Sequence, residues 1–149
     1  MRSSNRALSA VHALAQFELI EVAEETALAV KARTQAQGHV DLLTQQCHAS
    51  VSELRAAMSR QQVNPALIQQ MRRLYRAEQL ALAEWRSRLI EAQQREEQAY
   101  TALGRVRNRE RSMERAMQAE RHRQQLKRQM LEIALADELW LQQRSRESS

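Results

Sequence analysis

The sequence predicts an all-α fold, a long antiparallel two-helix coiled-coil hairpin with a C-terminal helical overhang. Three observations lead to this prediction. The 149 residues include only two Gly, one Pro and 3% aromatic side chains, so the chain is poor in the residues that build turns and strands. Its commonest residues (Ala, Gln, Arg, Glu and Leu) favour helix. Apolar residues recur at steps of three and four along two long stretches, which one strong break separates.

The first helix is expected over about residues 4–60. Ser3, Ser4 and Asn5 are all plausible N-caps, because their side chains can accept hydrogen bonds from the first free backbone N–H groups. Later in this stretch apolar residues follow one another on one face of a helix. They are Val40, Leu43, Cys47, Val51, Leu54 and Met58.

The turn is expected at about residues 61–65. Asn64 can cap the next helix, and Pro65 suits the first helical position, where its missing N–H costs nothing. The residue before a proline is also disfavoured in helical conformation. We therefore assign Asn64 and Pro65 as the structural turn.

The second helix is expected over about residues 66–145, and the whole chain, 1–149, as a single coiled-coil domain. A first apolar stripe lies at the start of this helix. The register of the stripe is then expected to shift by one residue, and the second stripe runs nearly to the C-terminus with several polar interruptions. The residues expected in the seam between the helices are Leu54, Met58, Leu67, Met71, Leu74, Trp85, Leu89 and Leu103.

The two helices are expected to be unequal. With the turn near residues 62–64, the numbers of facing residues should add to roughly 126. Four acidic residues between Glu18 and Glu25 would then lie beside Arg105, Arg107 and Arg109. Some 30 C-terminal residues, on this register, extend past the start of the first helix.

The extension carries a concentrated apolar patch, which the first helix cannot cover. Such patches usually mark interaction sites, with Trp a favoured anchor. The alternatives are a protein partner and a second copy of this chain. The patch comprises Met130, Leu131, Ile133, Leu135, Leu139, Trp140 and Leu141, and the stretch with Leu14, Phe17, Leu19, Ile20 and Val22 lies toward the same end.

Several function classes are disfavoured. A two-helix hairpin offers no pocket in which catalytic groups converge, so we expect no enzymatic activity and no cofactor. No metal site is expected, because the adjacent Cys47 and His48 point in different directions on a helix. Residues 105–128 hold nine Lys or Arg against three acids, but apolar seam residues run through them and stacking aromatics are missing. We therefore expect an exposed face or a docking face for an acidic protein, and no nucleic-acid binding.

Charge, cysteine content and hydropathy limit the partners and the cellular compartment that this chain suits. The net charge of +5 suits nucleic acid, anionic lipid or an acidic protein as partner. A single cysteine suits a reducing compartment. No apolar stretch is long enough for a transmembrane segment. Residues 2–17 faintly resemble a signal peptide, but acidic residues follow at once, so we expect an amphipathic helix there instead.

Three short segments resemble one protein family. Asn64-Pro65 stands where that family has its hairpin turn, Ala83–Arg88 reads AEWRSR early in the second helix, and Asp137-Glu138-Leu139 precedes Gln143-Arg144. In these features the chain resembles the central-stalk proteins of type III secretion and flagellar export ATPases, the FliJ/YscO family. Leu135-Ala136 stands where the flagellar members are rich in lysine, so the resemblance leans to the HrpO-type virulence or symbiosis branch.

The resemblance implies a function. Family members insert the end that carries both termini into a hexameric secretion ATPase, promote its assembly or activity, and link it to the cytoplasmic domain of the export gate. Some also bind secretion chaperones. It implies a cytoplasmic protein, peripheral at the inner-membrane export apparatus, that is a monomer or self-associates weakly. The residues expected to contact the ATPase are Leu131, Leu135, Leu139, Trp140, Leu14, Phe17, Arg121, Arg123 and Arg128. The competing hypotheses are a self-associating structural coiled coil or adaptor, and a nucleic-acid or membrane-surface binder.

Overall fold

The computed structural model describes residues 2–149 and consists of two helices, α1 (Arg2–Met58) and α2 (Pro65–Glu147). It is 95% helical, and the described residues include no strand. Contacts between the helices make this an all-α helical hairpin, which confirms the predicted fold class. Both helices lie within two residues of their expected bounds. Ser3, Ser4 and Asn5 lie inside α1, so the expectation that one of them caps it is wrong.

The turn is built as the sequence predicts. The Asn64 side chain accepts a hydrogen bond from the backbone N–H of Ala66 at 3.2 Å, and the Asn64 carbonyl accepts the first helical hydrogen bond, from Ile68, also at 3.2 Å. Pro65 is the first residue of α2. Asn64 is therefore the N-cap, with proline at the position where a missing donor is harmless.

One face of α1 is covered along the helix. Its buried and half-buried residues follow one another at alternating steps of three and four, the spacing of a coiled-coil seam. Small side chains are frequent on it, and Ala36, Val40 and Cys47 form part of the main core cluster. The seam residues of α1 are Asn5, Leu8, His12, Ala15, Leu19, Val22, Thr26, Ala29, Arg33, Ala36, Val40, Leu43, Cys47, Ser50, Leu54 and Ala57.

The seam of α2 keeps the same spacing from Ile68 to Gln124 without interruption, so the predicted slip is wrong. Leu67 and Leu74 are 42% and 57% exposed, because Ile68 and Tyr75 occupy the seam positions beside them. Met58, at the end of α1, is 49% exposed. These three residues are corrections to the predicted seam. The residues that the structure places in the seam of α2 are Ile68, Met71, Tyr75, Glu78, Leu82, Trp85, Leu89, Ala92, Glu96, Ala99, Leu103, Val106, Glu110, Met113, Met117, Glu120 and Gln124.

The contacts divide the chain into two compact units, one comprising Met1–Leu19 with Arg105–Ser149 and the other Ile20–Gly104. In the first, His12 Nε2 lies 3.0 Å from Glu110 Oε1. In the second, Arg33 Nε donates to Glu96 Oε2 at 2.5 Å. The residue numbers of these pairs add to 122 and 129, on either side of the predicted 126. The expected register is thus confirmed within each unit.

Polar seam residues are satisfied within the unit Ile20–Gly104. The buried Thr26 hydroxyl donates to the carbonyl of Val22 at 2.7 Å, and Ser50 donates to Glu78 at 2.7 Å. The His39 and Trp85 rings stack at 3.9 Å between centroids. Hydrogen bonds of this kind, within a helix or between the helices, remove most of the penalty for polar groups in a narrow core.

Candidate functional site

The part of α2 that α1 covers ends at Gln124, the last half-buried residue of the helix. Near this point Asn5, Leu8 and Ser9 line one groove together with Met117 and Glu120. Every described residue from 125 onward is exposed. We call α2 residues 125–147 the overhang. It is a little shorter than the 30 residues expected, because the covered face of α1 continues past Leu8 to Asn5 and reaches α2 as far as Gln124.

The overhang carries two apolar faces. Helical periodicity places Leu126, Met130, Ile133 and Trp140 on one side, with Asp137 as the charged residue among them. Leu131, Leu135 and Leu139 follow at steps of four and lie on roughly the opposite side. All seven of these apolar side chains are between 47% and 71% exposed. A helix that is apolar on more than one side is normally enclosed by other elements.

The start of α1 has a second exposed apolar surface in the same unit. Leu14 and Phe17 are each 69% exposed, and Val11 is 42% exposed. Their helical positions lie away from the seam residues Leu8, His12 and Ala15, so α2 does not reach them. We call Val11, Leu14 and Phe17 the outer face of α1.

The basic residues predicted to contact a partner are also on the surface. Arg121, Arg123 and Arg128 are exposed, and Arg123 lies 3.7 Å from Glu120 in the same helix. The guanidinium of Arg144 lies 5.1 Å from the centre of the Trp140 ring, within the range of a cation–π contact. The structure therefore places all nine predicted contact residues on exposed surface of one unit; whether they contact an ATPase remains a prediction.

Two residues of these surfaces were missed by the sequence analysis. Leu126 stands inside the basic stretch and Val11 inside an alanine-rich one, so neither looked like part of a patch. The four-residue step from Leu126 to Met130 and the three-residue step from Val11 to Leu14 were the signals that could have found them.

The described residues offer little else that resembles a ligand site. Their grooves are shallow, and no group of three or more His, Cys, Asp and Glu side chains is placed to hold a metal ion. Among the described residues, no helical stretch is both long enough and apolar enough to cross a membrane. The exposed apolar surfaces are thus the strongest functional signal in the part of the chain that the structure covers.

Comparison with protein-family models, with curated proteins and with solved structures gave no match to this chain. The exposed surfaces and the short resemblance in sequence are therefore the two features that bear on function.

Proposed function

We propose that this chain is the central-stalk component of a type III secretion export ATPase. In this proposal the overhang and the outer face of α1 insert into the hexameric ATPase, promote its assembly or activity, and couple it to the cytoplasmic domain of the export gate. The protein then acts in the cytoplasm at the inner-membrane export apparatus, with secretion chaperones as further partners. It is a non-enzymatic component.

The observation that carries the proposal is the pair of opposite apolar faces on the overhang. A flat partner surface would cover one face and leave the other in water. A ring that encloses the helix covers both, which fits a helix with apolar residues on several sides. The outer face of α1 adds a further apolar surface in the same unit, around Leu14 and Phe17.

The charge distribution is compatible with insertion. Residues 125–147 contain four basic and four acidic side chains, so the overhang is neutral overall. A neutral helix meets no net repulsion from a pore lined by charges of either sign. Specific attraction then comes from the apolar residues and from Arg121, Arg123 and Arg128 at its base.

The test measures ATP hydrolysis by a hexameric type III secretion ATPase from the same organism, with and without the full chain. We expect the chain to raise the rate. The variant L131Q/L135Q/L139Q should bind at least about a hundredfold more weakly and stimulate correspondingly less, since each lost apolar contact at an interface costs about 1–2 kcal/mol. Because these three residues are exposed, the variant should fold like the wild type.

The matched control is L28Q/L42Q/L80Q, which removes three leucines that are at least half exposed in the other unit. It should stimulate the ATPase as the wild type does. If both variants stimulate fully, the overhang does not contact the ATPase. If the wild-type chain has no effect at any concentration, the central-stalk function is wrong.

A second candidate is a self-associating structural coiled coil or adaptor. Equal numbers of both charges on the overhang let two copies overlap there without net repulsion. Sedimentation equilibrium separates the two functions. A stable wild-type dimer that L131Q/L135Q/L139Q converts to monomer would favour self-association over the stalk.

A further inference from the structure

We propose that the hairpin turn and the helix ends beside it bind the anionic headgroups of a membrane surface. We call residues 54–77 the tip. It contains five arginines and no acidic residue, whereas the overhang is neutral: the arginines are Arg55, Arg60, Arg72, Arg73 and Arg76. The nearest carboxylates, Glu53 and Glu78, flank the tip on either side. Glu78 is already engaged, because it accepts a hydrogen bond from Ser50 at 2.7 Å.

The tip arginines are available to a ligand. All five are exposed, and within the described residues none of them makes an ion pair or a side-chain hydrogen bond. Other arginines of the chain do pair, among them Arg33 with Glu96 and Arg88 with Glu84. The tip thus holds a concentration of positive charge that the protein itself does not neutralise. Such a surface attracts anions over about one Debye length, roughly 8 Å at physiological salt.

Apolar side chains are exposed among these arginines. Val63 in the turn is 48% exposed, and Leu67 and Leu74 on α2 are 42% and 57% exposed. Met58, Val63, Pro65 and Ile68 also line a shallow groove of about 420 Å³ at the turn. A mixture of cationic and apolar side chains on one surface is typical of segments that adsorb at the headgroup–acyl boundary of a bilayer.

The placement of the arginines favours a bilayer over an acidic protein. Arg55 on α1 and Arg73 on α2 each lie away from the seam, so they are on opposite sides of the hairpin, and Arg60 lies in the turn between the helices. A protein surface facing one side would reach only part of this set. Fluid headgroups can surround the tip and contact all sides of it. The turn, with the exposed Val63, would then enter the boundary region first.

This inference goes beyond the proposed function and does not depend on it. It concerns lipid contacts of the tip, which lies in the unit Ile20–Gly104, whereas the ATPase contacts are assigned to the other unit. A lipid result and an ATPase result can therefore succeed or fail separately.

The experiment is co-sedimentation of the full chain with vesicles. One set is phosphatidylcholine alone, and the other contains one quarter phosphatidylglycerol. We expect binding only to the anionic set, weakening as salt is raised. The variant R60Q/R72Q/R73Q should bind about a hundredfold more weakly, at about fivefold for each arginine removed from an anionic surface.

The matched control is R105Q/R107Q/R111Q, which removes the same charge from exposed arginines outside the tip. It should bind within a few-fold of the wild type, and circular dichroism should show both variants fully helical. An equal loss of vesicle binding in the two variants would mean that the net charge of the chain, rather than the tip, drives binding. That result would overturn the proposal. Failure of the wild type to bind anionic vesicles at low salt would overturn it too, and would favour an acidic protein as the partner of the tip.

Discussion

The helix α2 differs in coverage on the two sides of Gln124. Residues 105–124 pack on α1 with five apolar side chains, counting alanine, among twenty residues. Residues 125–147 hold ten among twenty-three and are exposed throughout. The more apolar part is therefore the uncovered part, the reverse of what burial within one chain produces. Its apolar residues thus match a surface that the chain does not supply.

The seam before Gln124 is also less apolar than a seam built for stability. Glu96, Glu110 and Glu120 occupy positions that a stable coiled coil fills with Leu or Val. They are half-buried, and two of them pair across the helices, with Arg33 and His12. Polar seam positions specify the register of the hairpin at a cost in stability. The covered part of α2 thus specifies how the hairpin pairs, while the uncovered part carries the apolar surface.

The largest contrast between the two parts should come from a leucine-to-alanine pair. Leu103 is only 6% exposed, so Leu103→Ala should lower the free energy of unfolding by about 2–4 kcal/mol through lost burial and a cavity. Leu131 is 65% exposed, so Leu131→Ala should change it by less than about 0.5 kcal/mol. Urea denaturation followed by circular dichroism measures both. Similar losses in the two variants would show that the overhang is packed in the free protein.

A smaller effect is expected from the charged pair in the seam. Glu96→Leu leaves the half-buried Arg33 without its partner and should cost about 1–3 kcal/mol. The double variant R33L/E96L should recover the wild-type stability or exceed it, because an apolar pair replaces an ion pair of similar volume. Glu138→Leu, at the same heptad position in the overhang, is the control and should be neutral. If the double variant is no more stable than Glu96→Leu, the pair is not the source of the loss.

A gain in the free energy of unfolding is expected from a substitution at Gly104. A methyl group at this residue would meet nothing within 4 Å, so Gly104→Ala should stabilise the hairpin by about 0.5–1 kcal/mol through helix propensity alone. The opposite change in the overhang, Ala134→Gly, should reduce the helical signal without moving the unfolding midpoint. A shift of the midpoint by Ala134→Gly would mean that the overhang unfolds together with the seam.

The smallest effect should come from the surface pair Glu18–Arg109, whose atoms Oε2 and Nη1 lie 3.2 Å apart. Arg109 is exposed and Glu18 is nearly half exposed, so Glu18→Gln should cost at most about 1 kcal/mol, less at high salt. Glu114→Gln removes the same charge from an exposed residue and serves as the control. A loss at Glu18 that does not diminish with salt would argue for a packing role instead.

Much of the fold could be predicted because local signals determine it. The Asn64-Pro65 turn follows from capping chemistry, and the seam from Leu82 to Gln124 follows from spacing. The seam near the turn was misassigned because Leu67 and Ile68, and again Leu74 and Tyr75, are neighbouring apolar residues. Spacing within so short a stretch cannot choose between them. Only continuation of the register back from Leu82 selects Ile68 and Tyr75.

The candidate site was predicted in part. Its core, from Met130 to Leu141, is a dense apolar run that composition alone reveals. The start of the overhang could not be placed, because it depends on where α1 begins, and Ser3, Ser4 and Asn5 gave a misleading capping signal. The charge of the tip passed unnoticed for a different reason. Its arginines are spread over two helices and a turn, and only the hairpin brings them together.

Hydrogen–deuterium exchange of the full chain, alone and with a hexameric type III secretion ATPase from the same organism, shows whether the overhang is uncovered in the free protein and covered in the complex. Unpacked helix is marginally stable in water, so amides of residues 125–147 should exchange far faster than those of residues 68–124 in the free protein. On addition of the ATPase the overhang amides should become protected. Fast exchange of residues 125–147 in both conditions would show that the ATPase does not cover the overhang, and protection equal to that of the seam before the ATPase is added would show that the overhang is already packed in the free protein.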